Sequence, residues 1–244
     1  MMHSSPLARD TGDHACLDCE LYGEVLGTDI SLERPVDSIP LIHTFEYGSV
    51  LYRADAPVDA VYYIRSGIVK MVRFGPSGGQ RIVRVLKTGD VAEIESIVLD
   101  TFEHTAIAVD NVSACCIPIE MFRKHVASSA QVQLRVLQQS LADLREAETW
   151  LLQLTGNATS ARARIARLLL CLRVDAGDRI HRIGIEDMAA IIGITPVTVS
   201  RVISEFRRQG ILAEGGQRAR ARNYFRAEVA ALDGIAREMP KSPL

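Results

Sequence analysis

The 244-residue sequence has no run approaching 18 consecutive apolar residues, so no membrane-spanning helix and no membrane partner are expected. The opening MMHSSPLARDTGDHACLDCE lacks the apolar stretch of a secretory signal, and the expected location is the cytoplasm, where thiols stay reduced. Five cysteines, an odd count, do not make a disulfide framework. No Ser/His/Asp or Glu/His set is spaced for catalysis, and no glycine-rich phosphate loop follows a strand. His3, His14, His43, His104, His125 and His181 are scattered without HxxxH spacing. The chain therefore does not read as an enzyme.

What is present is unevenly distributed. The formal net charge is only −2, yet residues 157–229 carry 13 arginines and no lysine against seven acidic residues. Such asymmetry fits a basic segment that meets a polyanion, attached to an acidic partner domain; a solvated arginine-rich face fits the charge equally well.

The texture also changes along the chain. Residues 1–30 show no sustained periodicity and read as an arm. From Ile42 to Phe122, short runs such as AVYYIRSG, IVKMVRF and SACCIPI are separated by turn signals at GPSGG, TGD and DN, which predicts an antiparallel β-sandwich or barrel. From Ile119 to Leu154 there is neither proline nor glycine. Val132, Val136, Leu137, Leu141, Leu144, Leu151 and Leu154 trace one apolar stripe of a single long helix, suited to a dimer seam or to packing within its own chain. Thr155-Gly156-Asn157 reads as a hinge, and SARARIARLLLCLRVDAG as an amphipathic helix ended by Gly177 with Cys171 buried.

The most specific segment is IGIEDMAAIIGITPVTVSRVISEFRRQGILAEGGQRARARNYF. A short helix over Glu186–Ile192 meets Gly193, which tolerates the positive φ of a tight turn. Thr195 can cap the next helix and Pro196 suits its first position. That second helix exposes Val197, Thr198, Ser200 and Arg201 near its N-terminus, as a recognition helix in the major groove of double-stranded DNA requires. Arginine can chelate guanine O6 and N7, and Ser or Thr can bond bases or phosphates. The following ILAEGGQRARARNYF reads as a β-hairpin wing with Arg218, Arg220 and Arg222 on one strand face, suited to phosphates.

On these residues the chain resembles the Crp/Fnr superfamily of transcription regulators. GITPVTVSRVISEFRRQGIL is similar to the family's recognition segment, and the resemblance implies that Ser200 and Arg201 read the half-site. Val197 departs from a glutamate usual there, which implies a different base, with a thymine methyl as the natural contact of valine. The implied fold is α+β: an N-terminal antiparallel β-barrel of the cyclic-nucleotide-binding kind, a long dimerisation helix and a C-terminal winged helix-turn-helix. The expected boundaries are an arm at 1–30, the barrel at 31–125, the dimer helix at 126–155, the DNA-binding domain at 156–229 and a tail at 230–244. The implied partners are DNA, a second copy of the chain and RNA polymerase.

The sensed signal is less determined. The family's cyclic-nucleotide binders use a glutamate for the ribose and an Arg-Ser pair for the phosphate. Here TGDVAEIESIVLD offers Glu93 or Glu95, but His104-Thr105 replaces the pair, so cyclic AMP is disfavoured. The branch resembling the fumarate and nitrate reduction regulator implies an iron–sulfur cluster, [4Fe–4S] or [2Fe–2S], with Cys16, Cys19 and Cys115 as ligands. The third N-terminal cysteine of that branch is absent, and Asp18, Glu20, Glu24 or His14 stands as candidate for the open position. Cys116, next to Cys115 in a strand, points to the opposite face. A thiol switch, a haem on His14, His43 or His104, another small ligand, and an enzyme using the CxxC thiols remain alternatives. So does a structural role for Cys115 and Cys116 in the core.

Overall fold

The structure is a computed structural model that describes residues 41–75, 79–154, 159–174, 176–215 and 224–238. The arm with Cys16 and Cys19, the GPSGG tip at 76–78, the 155–157 hinge and the wing arginines Arg218, Arg220 and Arg222 lie outside the described residues. The chain forms two compact units. One comprises the described residues up to Gly79 with Val83–Leu144; the other comprises Gln80–Ile82 with those from Arg145 onward.

The first unit is built on β1 (Leu41–Phe45), β2 (Val50–Tyr52), β3 (Ala60–Ser66), β4 (Val69–Phe74), β5 (Gln80–Leu86), β6 (Val91–Ala92), β7 (Thr105–Ala108) and β8 (Val112–Pro118), with a 3₁₀ turn at Ile94–Ile97. They form two four-stranded sheets, ordered β1-β8-β3-β6 and β2-β7-β4-β5. The expected barrel is thus an open, jelly-roll-like sandwich. Edge strands as short as β2 and β6 cannot carry a ladder from one sheet into the other.

Alternation of side chains sorts each strand between two cores. Ala60, Tyr62 and Ile64 of β3 and Val112 and Ala114 of β8 join Leu51, Met71, Leu86 and Phe102 in one cluster. Val61 of β3 and Cys115 and Ile117 of β8 join Phe122, Val126, Val132 and Val136 in another. The second cluster fixes α1 (Ile119–Ser128) and the start of α2 (Ala130–Leu154) against the β1-β8-β3-β6 sheet.

The single helix expected from Ile119 to Leu154 is therefore two. Ser129 is extended at φ −135°, ψ 113°. Its hydroxyl accepts from the Val132 N–H at 3.4 Å, and its carbonyl accepts from the Gln133 N–H. A serine satisfies orphan donors at a helix start, so it breaks the run where no proline or glycine does.

In the second unit, α3 (Ala161–Cys171) is followed by β9 (Arg179–His181), α4 (Ile185–Ile192), α5 (Pro196–Arg208), β10 (Leu212–Glu214), β11 (Tyr224–Ala227) and α6 (Val229–Ala236). Helix α3 stops six residues before Gly177. The chain turns there into β9, as the Leu172 carbonyl accepts from the His181 N–H and the Arg179 carbonyl from Val174. Cys171 is half-buried rather than buried. The stretch expected to be a tail begins within α6, which buries Leu232, Ile235 and Ala236. Strands β10, β11 and β9 form one antiparallel sheet.

Gly67, at φ +90°, joins β3 to β4. A Cβ there would stand 2.6 Å from the Asn111 carbonyl oxygen and 2.9 Å from Val112 Cα. Asp110, 2.7 Å from the same point, accepts the Ile68 N–H at 2.6 Å. Gly67→Ala is expected to cost about 2 kcal/mol or more, since it adds a backbone clash to a left-handed conformation. Urea unfolding followed by tryptophan fluorescence and circular dichroism measures it.

Candidate functional site

The surface expected to read DNA is built on α4 and α5. Gly193 closes α4 at φ 73°, ψ 41°, and the chain direction turns by 112° between the two helices. That angle lies in the range of the helix-turn-helix unit. Among the described residues no single helix is long and apolar enough to cross a membrane. Thr195 caps α5, its hydroxyl accepting from the Thr198 N–H at 3.3 Å, and Pro196 opens the helix. The Thr195 and Thr198 hydroxyls are also 2.9 Å apart. These two threonines hold the helix end that presents the other side chains.

Val199, Val202, Ile203 and Phe206 are buried, so the opposite face is set by helical period. Val197 is 79% exposed, and Ser200 and Arg201 are exposed beside it. Ser204 and Arg208 extend the same face, both exposed. Sequence reading stopped at Arg201, although the spacing 197, 200, 201, 204, 208 carries the signal for the longer stripe.

Several arginines of the basic segment serve the fold instead. Arg162 bonds Glu205 of α5 and Gln209 just past its end, and lies over the Phe206 ring at 5.1 Å. Arg164 is buried and donates to the Ile192 carbonyl, its pKa lowered by burial. Arg167 donates to the Ala236 carbonyl at 2.7 Å, pinning α6 on α3. Arg182 and Arg207 grip the two oxygens of Glu214, and both lie 5.4 Å from the Phe225 ring centre.

In the sandwich, Cys115 is fully buried among apolar side chains, while Cys116 packs against the other core. Burial, and then the charge of Asp59, push the Cys116 thiol up to about 12. Among the described residues, the cysteines, histidines and acids gather into a metal-sized set at one place only, and Cys115 is not in it. With Cys16 and Cys19 outside the described residues, one of the three expected iron–sulfur ligands is placed, and its surroundings do not by themselves supply a cluster site.

The metal-sized set is Glu93, Glu95 and His104, with one ligand atom from each within 4.8 Å of the others. Glu93 follows β6 of one sheet, and His104 precedes β7 of the other. Glu93 is 1% exposed and sits at φ 59°, where a residue other than glycine is uncommon. Its Oε1 faces His104 Nδ1 at 3.4 Å without hydrogen-bond geometry. Burial, and then the charge of Glu93, raise the Tyr52 phenol well above its usual value. Burial chiefly raises the Glu95 carboxyl, with the charge of Glu93 adding to it. Nearby, Arg84 forms a bidentate pair with Asp143 of α2 at 2.6 and 2.9 Å. Sequence reading weighed Glu93, Glu95 and His104 separately as stand-ins for nucleotide contacts; the sandwich brings them together.

Two family models match the chain. The cyclic nucleotide-binding domain spans residues 42–129, and the Crp-like helix-turn-helix domain spans residues 163–224. The transcriptional activator protein FnrL of Cereibacter sphaeroides is 25% identical over 218 residues, 84% of this chain and 86% of that protein. The fumarate and nitrate reduction regulatory protein of Vibrio cholerae is 23% identical over 91% of this chain and 92% of its own length. Among solved structures, FixK2 of Bradyrhizobium japonicum superposes with a TM-score of 0.70 at 23% identity, covering 82% of this chain and 98% of that one.

Replacing the cap separates helix support from DNA contact. Thr195→Ala is expected to lose about 1 kcal/mol of stability, while Thr195→Ser retains most of it. Chemical denaturation of both variants beside the unaltered chain tests this.

Proposed function

The chain belongs to the Crp/Fnr family of transcription regulators, and on that premise we propose that it works in the cytoplasm as a homodimer on a palindromic double-stranded DNA site. The observation that carries the reading is the exposed stripe Val197, Ser200, Arg201, Ser204 and Arg208 on a helix held at 112° to its predecessor. Arg201 reads a guanine, Ser200 contacts a base edge or phosphate, and Val197 meets a thymine methyl. Arg208 and the wing residues Arg218, Arg220 and Arg222 add phosphate contacts. RNA polymerase is the further partner of the bound dimer.

The dimer is supported by α2. Leu134, Leu137, Leu141, Leu144 and Leu151 are all 48–66% exposed in the single chain and recur at three- and four-residue steps, with Glu148 at the intervening position. That is a heptad seam, which a second α2 covers. Half-sites read by such a dimer lie about one helical turn apart.

The signal acts through the sandwich. Cyclic AMP suits it poorly, because His104-Thr105 stands where the phosphate would need an arginine. Thr105 is occupied in the fold, its hydroxyl accepting the Ala54 N–H at 3.0 Å. Similarity to FnrL and to the fumarate and nitrate reduction regulatory protein supports a redox signal through Cys16, Cys19 and Cys115. Among the described residues only Cys115 speaks to it.

A mobility-shift series on a palindrome of TTGAT-type half-sites tests the DNA reading. Arg201→Ala is expected to weaken specific binding about 10- to 100-fold, and Val197→Glu to change base preference at one position. Binding should also fall steeply with salt, as phosphate contacts release counterions. Equal affinity of Arg201→Ala for the palindrome and a scrambled duplex, with no loss against the unaltered chain, would count against the assignment.

A further inference from the structure

We propose that Glu93, Glu95 and His104 form a binding site for a first-row divalent transition-metal ion inside the sandwich. The inference builds on the regulator reading by naming a ligand of its sensor unit. Three observations carry it. The first is geometric: one ligand atom from each residue lies within 4.8 Å of the others, the spacing of donors gathered around one ion. Metal–ligand distances near 2.0–2.2 Å place such atoms around one ion after small side-chain shifts.

The second observation is the state of Glu93. Its side chain is almost wholly enclosed, and the groups facing it, His104 Nδ1 at 3.4 Å and the Tyr52 hydroxyl, do not meet hydrogen-bond geometry with either carboxylate oxygen. An enclosed carboxylate so incompletely satisfied is costly, and a bound cation compensates it. The same residue holds a left-handed backbone conformation at φ 59°, ψ 44°, the kind of strain that gathers at ligand sites. His104 Nδ1 is likewise buried without a partner and faces the same carboxylate. The Tyr52 hydroxyl lies against Glu93, the Ser96 hydroxyl is enclosed and unpartnered, and the Ser96 N–H donates to the Glu93 carbonyl.

The third is the donor set. One imidazole with two carboxylates suits zinc, iron(II), manganese or cobalt better than magnesium or calcium, which take oxygen ligands alone. The ion would tie the end of β6 to the start of β7 and so join the two sheets at one place. It would also alter the field at Arg84, which interacts electrostatically with Glu95 and grips Asp143 on the seam helix. Metal occupancy is thereby coupled to α2.

The test uses the full chain carrying Cys16→Ser and Cys19→Ser, so that the N-terminal thiols cannot bind the probe, which is cobalt(II). After chelator treatment and equilibrium dialysis, the expected result is one cobalt per chain, with ligand-field bands and no thiolate charge-transfer band. Glu93→Gln and His104→Ala should each weaken binding at least tenfold while retaining cooperative thermal unfolding. Glu95→Gln, at a half-buried position, supplies the same readout should either of those variants fail to fold. Absence of bound cobalt, a thiolate band, or affinity unchanged in the folded variants would overturn the site. The same preparations are assayed for DNA binding with and without cobalt. DNA binding without cobalt uptake overturns the metal site and leaves the regulator reading standing. Cobalt uptake without binding to any palindrome supports the site and overturns that reading.

Discussion

The structure turns on an apolar helix face that stands exposed among the described residues. Helix α2 is 25 residues long, and its N-terminal turns are committed to the sandwich through Val132 and Val136. Its leucines from Leu134 to Leu151 point elsewhere and stand about half exposed or more. Contiguous apolar surface of this kind marks an interaction face, and the heptad step fits another helix with the same pattern. One element thus contributes to the sensor core, offers a seam and leads to the DNA-reading unit. On the proposed dimer reading, a change at the sandwich that shifts how α2 packs shifts the population of dimers able to bind DNA.

Charge is distributed by the same division of labour. The second unit is rich in arginine, but Arg162, Arg164, Arg167, Arg182 and Arg207 bind carbonyls, carboxylates and ring faces of their own unit. Among the described residues, Arg201 and Arg208 on the outer stripe of α5 stand exposed for a polyanion. In the first unit the notable charges are acidic and enclosed. One buried and one half-buried carboxylate beside a histidine suit a cation, on a framework whose family model is a nucleotide-binding domain.

Much of this was legible in the residues before the coordinates. Alternation along AVYYIRS and VSACCIP predicts strands with two buried faces, and Gly193, Thr195 and Pro196 mark the turn and cap of the helix pair. Local chemistry determined these features, so local reading found them. The break at Ser129 was missed because serine stops a helix through its hydroxyl, while the surrounding apolar period continues. The early end of α3 depends on backbone pairing with the distant β9, and the helix within the supposed tail on packing against α3, where Arg167 reaches Ala236. The Glu93, Glu95 and His104 set needs two sheets to meet, since Glu93 follows a strand of one sheet and His104 precedes a strand of the other. Wing arginines and N-terminal cysteines stay as the sequence left them, outside the described residues.

The central claim is that α2 pairs with a second α2. Sedimentation equilibrium of the full chain at micromolar concentration tests it most directly, without DNA or effector and with Leu137→Glu/Leu144→Glu as the comparison. The account predicts a species of twice the 26.8 kDa chain mass, reverting to one chain in the double variant while its circular dichroism stays helical. A single 26.8 kDa species for the unaltered chain across that range, or a dimer indifferent to the two glutamates, would contradict it.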